Sequence, residues 1–141
     1  MTIDVESFIR SGKLGDVRLG MTKNELVGLL GAADAVAGGG RAPEILKYPD
    51  VEVMVKGGVV TFISITLPPA HWGDAQYLGW RPSHDTTRSE CEHFFRLNQI
   101  AIDSDQRATR GSFRTLVVKD SGVRLAFVDD LLDRIYAMTE D

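Results

Sequence analysis

The feature that most restricts the fold of this sequence is a helix-start pattern that occurs twice in its 141 residues. Residues 22–25 read Thr-Lys-Asn-Glu and residues 87–90 read Thr-Arg-Ser-Glu, and apolar residues follow each at helical spacing. In both, the Thr hydroxyl can accept a hydrogen bond from the Glu N–H, while the Glu carboxylate accepts one from the Thr N–H. The sequence therefore predicts two helices that begin in the same way.

Strand-like segments follow both predicted helices. Alternating apolar runs separated by turn residues occupy 45–48, 51–55 and 59–67 in the first half, and 113–118, 123–127 and 131–138 in the second. Gly57-Gly58 is typical of a two-residue hairpin turn, and Asp129-Asp130 occupies the matching place in the second half. Alignment of the two sets without a gap brings Ile63 onto Ile135, so we expect an approximate internal duplication.

Two further segments precede the first meander. Val5, Phe8 and Ile9 recur at helical spacing behind Thr2 or Asp4, which predicts a short helix over residues 3–11 that ends at Gly12. Gly31 is expected to end the second helix in a left-handed conformation. The small, glycine-rich residues 32–43 predict a flexible loop, and Gly38–Arg41 lacks the Lys-Ser/Thr of a phosphate-binding loop.

These elements predict one domain over residues 1–141, with halves at about 1–67 and 87–141 joined by loop 68–86. Neither meander could bury its apolar face alone, so each helix should pack on the sheet that the two meanders form together. The expected fold class is α+β: a single antiparallel sheet of about six strands with helices packed on one face. The opposite face would be at least partly open to solvent.

Composition excludes several classes of function. The net charge is -4, and Lys and Arg are scattered along the chain, which argues against a nucleic-acid partner. The single cysteine, Cys91, cannot form an internal disulfide and is expected to be a packing residue. The first residues do not resemble a signal peptide, and no apolar run approaches the roughly 20 residues of a membrane span. A soluble, cytoplasmic protein without a membrane partner is predicted.

Residues 19–31 carry a family resemblance. They read Leu-Gly-Met-Thr-Lys-Asn-Glu-Leu-Val-Gly-Leu-Leu-Gly, which resembles the Gly-Met-Thr-x-x-Glu-Val-x-x-Leu-Leu-Gly pattern of the small outer-membrane-assembly lipoproteins of the SmpA/OmlA (BamE) type. Wider relatives include the β-lactamase inhibitor protein, whose tandem halves build one sheet. The resemblance implies a non-catalytic protein that binds another protein through its open sheet face or its loops. Since export and lipidation signals are absent, a cytoplasmic relative would fit an inhibitor or immunity protein that binds a toxin or enzyme.

The loop between the halves contains the candidate contacts for such a partner. Trp72, Tyr77, Trp80 and Arg81 lie within a stretch of ten residues, and rigid aromatics beside an arginine are the composition of interface hot spots. The alternative is that this loop covers the end of the sheet and that its aromatic rings cap the core. The sequence leaves both interpretations open.

Two other classes of function are compatible with the sequence. His71, Asp74 and His84 could form a metal-assisted or acid/base site, and Asp85, Cys91 and His93 lie nearby, but their spacing matches no compact zinc pattern. No Ser-His-Asp order, nucleophile elbow or dinucleotide fingerprint is present. Neither an enzyme, a cofactor nor a metal site is therefore predicted. The third alternative is a structural subunit that forms a homodimer through an exposed sheet edge.

Overall fold

The computed structural model describes residues 2–67, 76–77 and 79–139. Its elements in chain order are β1 Thr2–Ile3, α1 Val5–Ser11, α2 Lys23–Leu30, β2 Ala35–Gly39, β3 Ala42–Lys47, β4 Val51–Lys56, β5 Val59–Ile65, β6 Gln76–Tyr77, α3 Arg88–Leu97, β7 Ile102–Ser104, β8 Phe113–Val118, β9 Arg124–Val128 and β10 Leu131–Met138. A short 3₁₀ helix, Gln106–Ala108, lies between β7 and β8. Within this described part of the chain, no helix is both long and apolar enough to cross a membrane.

Eight strands of the described residues form the main sheet, in the order β2-β3-β4-β5-β10-β9-β8-β7, and every neighbouring pair is antiparallel. The last strand of each predicted half, β5 and β10, meet at its centre. A separate pair of short strands, β1 and β6, is parallel.

The prediction of a six-stranded α+β sheet with helices packed on one face is wrong. The sheet has eight strands, and with three short helices in the described residues the fold is dominated by its sheet. The two additional strands are the edge strands. β2 lies in the segment predicted as a glycine-rich loop, where alanines and glycines give too little hydrophobic contrast for a period of two to appear. β7 has only three residues, which is too short for a periodic signal.

The predicted helix starts are confirmed. Asp4 caps α1 by accepting a hydrogen bond from the N–H of Ser7, and complete capping boxes begin α2 at Thr22 and α3 at Thr87. Gly12 ends α1 in the left-handed conformation. Gly31 ends α2 at a positive φ of 78°, but its ψ of -166° is extended rather than left-handed helical.

Each capping box also holds its helix against a strand of the main sheet. Thr22 forms a β-bridge with Val59, the first residue of β5, and Thr87 forms one with Leu131, the first residue of β10. The first residue of each helix adds a backbone hydrogen bond to a hairpin turn. The Lys23 N–H donates to the Gly58 carbonyl at 2.9 Å, and the Arg88 N–H donates to the Asp130 carbonyl at 2.8 Å. The same local sequence therefore produces the same helix-to-strand junction in both halves.

The hairpin turns that precede β5 and β10 share a backbone conformation despite different residues. Gly57 and Gly58 have φ values of 60° and 77°, and Asp129 and Asp130 have 51° and 63°. Two consecutive left-handed residues form the tight turn that suits the twist of antiparallel strands. Glycine adopts this conformation freely, whereas aspartate tolerates it at some cost in energy.

The buried core combines the three helices with alternate residues of the strands. Its largest fully buried side chains are Phe8, Phe95, Phe127, Ile3, Ile9, Leu26, Leu46, Ile63, Ile65, Leu125, Leu132 and Ile135. Since successive side chains of a strand point to opposite sides, these residues define the core face of the sheet. The other face, called the open face below, carries the intervening residues of β3, β4, β5 and β10.

Candidate functional site

The open face carries a row of apolar side chains that crosses four strands. Ile45 lies opposite Met54, Met54 lies opposite Phe62, and Phe62 lies opposite Met138. These residues are half-buried or exposed, and the side chain of Met138 is 42% exposed. None of them belongs to the buried core cluster. We call Ile45, Met54, Phe62 and Met138 the apolar row.

A polar row runs beside the apolar row on the same face. The cross-strand partners are Lys47 with Glu52, Glu52 with Ser64, Ser64 with Tyr136, and Tyr136 with Arg124. Tyr136 connects the two rows, because its ring stacks on that of Phe62 with the centroids 5.4 Å apart. The open face therefore combines apolar and polar side chains, as the centre and the rim of a protein interface do.

One end of the polar row is held in place by an ion pair. The Arg124 Nη1 lies 3.1 Å from Asp105 Oδ2, and the two side chains are 25% and 17% exposed. The other Asp105 oxygen accepts a hydrogen bond from the N–H of Arg107, the second residue of the 3₁₀ helix. The guanidinium is thereby fixed at the surface in a defined position.

Of the four predicted contact residues, the structure describes the side chains of two. Trp72 lies outside the described residues, and for Tyr77 only the backbone is described, as a partner of Ile3 in the small parallel sheet. Arg81 is exposed. Their proposed role in binding stays a prediction.

Trp80 packs against the core. Its ring is stacked on Phe94 with 4.1 Å between the centroids and 10° between the planes, and it makes an edge contact with Phe95 at 6.0 Å. It is half-buried and lies against the hydrophobic cluster. The contacts of this ring agree with the alternative interpretation of the loop aromatics, in which they cap the core.

The residues of the alternative acid/base or metal site are scattered in the described structure. His71 and Asp74 lie outside the described residues. His84 is exposed, and its Nδ1 lies 3.2 Å from the carbonyl oxygen of Leu132, which attaches the end of the loop to β10. Among the described residues, no three His, Cys, Asp or Glu side chains come together in a group that could hold a metal ion.

Cys91 is fully buried in α3, as the sequence predicts for a packing residue. Desolvation by burial raises the pKa of its thiol to about 12, and the neighbouring Glu90 and Glu92 add to the shift. A thiol with such a pKa is almost entirely protonated near neutral pH. Nucleophilic chemistry by this cysteine is therefore disfavoured.

The residues of the apolar row are not among the contact residues predicted from the sequence. A signal for them is present, because Met54 lies between Val53 and Val55 and Phe62 precedes Ile63. Apolar residues at consecutive strand positions indicate that both faces of the strand are at least partly shielded from water. Only the register of the strands shows that such residues from four strands align in one row.

Comparisons with protein-family models, with characterised proteins and with solved structures found no match for this chain. The case for a function therefore depends on the geometry of the chain itself.

Proposed function

We propose that this chain is a non-catalytic protein-binding module whose open sheet face contacts another protein. The observation that supports this proposal is the apolar row, four apolar side chains aligned across β3, β4, β5 and β10 outside the core. Exposed apolar surface bordered by polar side chains is characteristic of protein interaction sites. The proposal includes the inhibitor or immunity-type role and the cytoplasmic location expected from the sequence.

The side chains of the row suit such a contact. Met54 and Met138 are flexible and polarizable, so they can adapt to the surface of a partner. The stacked pair of Phe62 and Tyr136 provides a larger and more rigid area, and the Tyr hydroxyl can form hydrogen bonds at the edge of the contact. The loop residues Trp72, Tyr77, Trp80 and Arg81 form the second part of the proposal, as further contacts to the same partner.

A capture experiment with one changed residue tests the role of the open face. Wild-type protein and a Met54→Asp variant are immobilised and exposed to a lysate of the native host, and retained proteins are identified by mass spectrometry. Burial of the new carboxylate against a partner without a counter-charge is costly, so we expect a specific partner to bind the variant at least tenfold more weakly.

Leu97→Asp is the matched control, because Leu97 is 69% exposed on α3 and does not belong to the apolar row. A partner of the open face is retained by the wild type and by Leu97→Asp but not by Met54→Asp. Circular dichroism and thermal unfolding verify that both variants are folded. Retention of the same proteins by all three would exclude the open face as the binding site.

A further inference from the structure

The two edges of the main sheet differ in how they are protected. β7 has only three residues, and Asp103 Oδ1 accepts a hydrogen bond from the N–H of Ser104, 2.9 Å away. β2 reads Ala-Val-Ala-Gly-Gly and has no charged side chain and no proline. Charge, proline and short length are the usual devices that prevent an edge strand from pairing with another chain. Within the described residues, β2 is therefore the edge that is open to further pairing.

The direction of the backbone groups on β2 follows from its pairing with β3. The carbonyl of Lys47 points towards the β2 side of β3, because it accepts a hydrogen bond at 2.8 Å from the N–H of Asp34, the residue before β2. Lys47 is the register partner of Ala35, and Ile45 is that of Ala37. Since backbone groups alternate in direction along an antiparallel strand, those of Ala35 and Ala37 face β3. The N–H and C=O of Val36 therefore point away from the sheet.

Exposed apolar side chains lie beside this edge. Val36 is 58% exposed and is the register partner of the buried Leu46, which places its side chain on the core side of the sheet. Val27 of α2 is 37% exposed and follows Lys23 by one helical turn. The Lys23 Nζ lies 2.8 Å from a carboxylate oxygen of Glu44 in β3, so this flank of α2 faces the same side of the sheet. Val36 and Val27 are therefore both exposed apolar side chains on the core side of the sheet.

We propose that two copies of this chain associate through antiparallel pairing of their β2 strands, with Val36 directly opposite Val36 of the second copy. A twofold axis at this position lets each Val36 N–H donate to the other Val36 carbonyl. The two valine side chains then lie on the same face and contact each other across the strands.

A second copy suits this edge because the strand is neutral. Two identical charged strands would repel each other, whereas Ala35, Val36 and Ala37 allow close approach without like charges. The register irregularity between Gly38 and Gly39, and the φ of 74° at Gly38, limit regular pairing to the first residues of the strand. The contact is therefore small, and we expect the dimer to form in a concentration-dependent manner.

A Val36→Cys variant tests the register. Residues directly opposite each other in a hydrogen-bonded antiparallel pair have Cα atoms about 5.5 Å apart, which is within the range that a disulfide bridges. The native Cys91 is fully buried and contributes little background. After mild oxidation we expect a covalent dimer on a non-reducing gel. Leu97→Cys, at a more exposed position on α3, is the control and should remain monomeric on that gel.

Sedimentation at increasing protein concentration tests the association itself. The wild type should dimerise, whereas Val36→Lys and Val36→Glu should each sediment as monomers because like charges then face each other. An equimolar mixture of the two variants should recover the dimer. The proposal is overturned if the wild type stays monomeric at every concentration, if Val36→Lys dimerises like the wild type, or if the two cysteine variants cross-link equally. If a different protein occupies this edge, the wild type alone stays monomeric at every concentration.

Discussion

Replacement of Trp80 by alanine separates a packing role from a binding role at this residue. The indole is stacked on Phe94 at 4.1 Å and contacts Phe95 edge-on at 6.0 Å, both in α3. Truncation of a fully buried tryptophan costs about 3–5 kcal/mol of unfolding free energy. Trp80 is half-buried, so we expect Trp80→Ala to cost about 2–3 kcal/mol, of which about 0.5–1.5 kcal/mol comes from the ring stacking.

Urea denaturation followed by circular dichroism measures this loss, and thermal unfolding should show a decrease of about 6–12 °C for a chain of this size. Trp80→Phe keeps an aromatic ring on Phe94 and should lose less than half as much stability. Leu97→Ala, at the 69% exposed position on α3, should stay within about 0.5 kcal/mol of the wild type.

A double-mutant cycle with Phe94→Ala isolates the contact between the two rings. We expect the two substitutions to be non-additive by about 0.5–1.5 kcal/mol, since each alone removes the same stacked pair. If Trp80→Ala instead unfolds within about 0.5 kcal/mol of the wild type, the argument that Trp80 caps the core is refuted. The ring would then be available for a partner, as the loop composition first suggested.

Three further predictions concern single residues. Thr87→Ala removes the hydroxyl that accepts a hydrogen bond from the Glu90 N–H at 3.1 Å, and it should lower the free energy of unfolding by about 1 kcal/mol. Thr87→Ser keeps a hydroxyl and should retain most of the wild-type stability in chemical denaturation. Gly57→Ala introduces a side chain at a φ of 60° where no atom lies within 4 Å of the new Cβ, so its cost of about 1–2 kcal/mol is purely conformational; equal stability of Gly57→Ala and wild type would contradict this. The pKa of Cys91 is raised from 9.0 to about 12 in the folded state, so the native state retains this proton between these pH values and stability falls as pH rises through that range. The fall of stability with rising pH should be shallower in Cys91→Ala. At pH 8, a thiol reagent should label native protein far more slowly than denatured protein.

Local features of the fold could be predicted from the sequence because neighbouring residues determine them. The capping boxes at Thr22 and Thr87, the cap of α1 at Asp4 and the turn at Gly57-Gly58 all depend on residues within a few positions of one another. The strand runs were predicted for the same reason, since alternation is visible within five to eight residues. The edge strands could not be predicted in this way, because β2 and β7 are strands by virtue of the neighbours that they pair with.

The candidate site also divides into features that the sequence indicates and features that only the structure shows. The sequence left open whether Trp80 contacts a partner or caps the core, and only the structure shows that its ring is stacked on Phe94. The apolar row depends on residues that are distant in the chain, such as Phe62 and Met138, which become neighbours only through the pairing of β5 with β10.

The sequence by itself determined where helices begin, where the hairpins turn and which residues favour burial. These properties follow from hydrogen bonding and hydrophobicity among residues that are close together in the chain. The tertiary structure alone decided the number of strands, their order and the alignment of side chains across the open face. Strand register is a property of pairs of segments, so no single segment contains it. The surfaces proposed here for a partner protein and for a second copy both arise from that register.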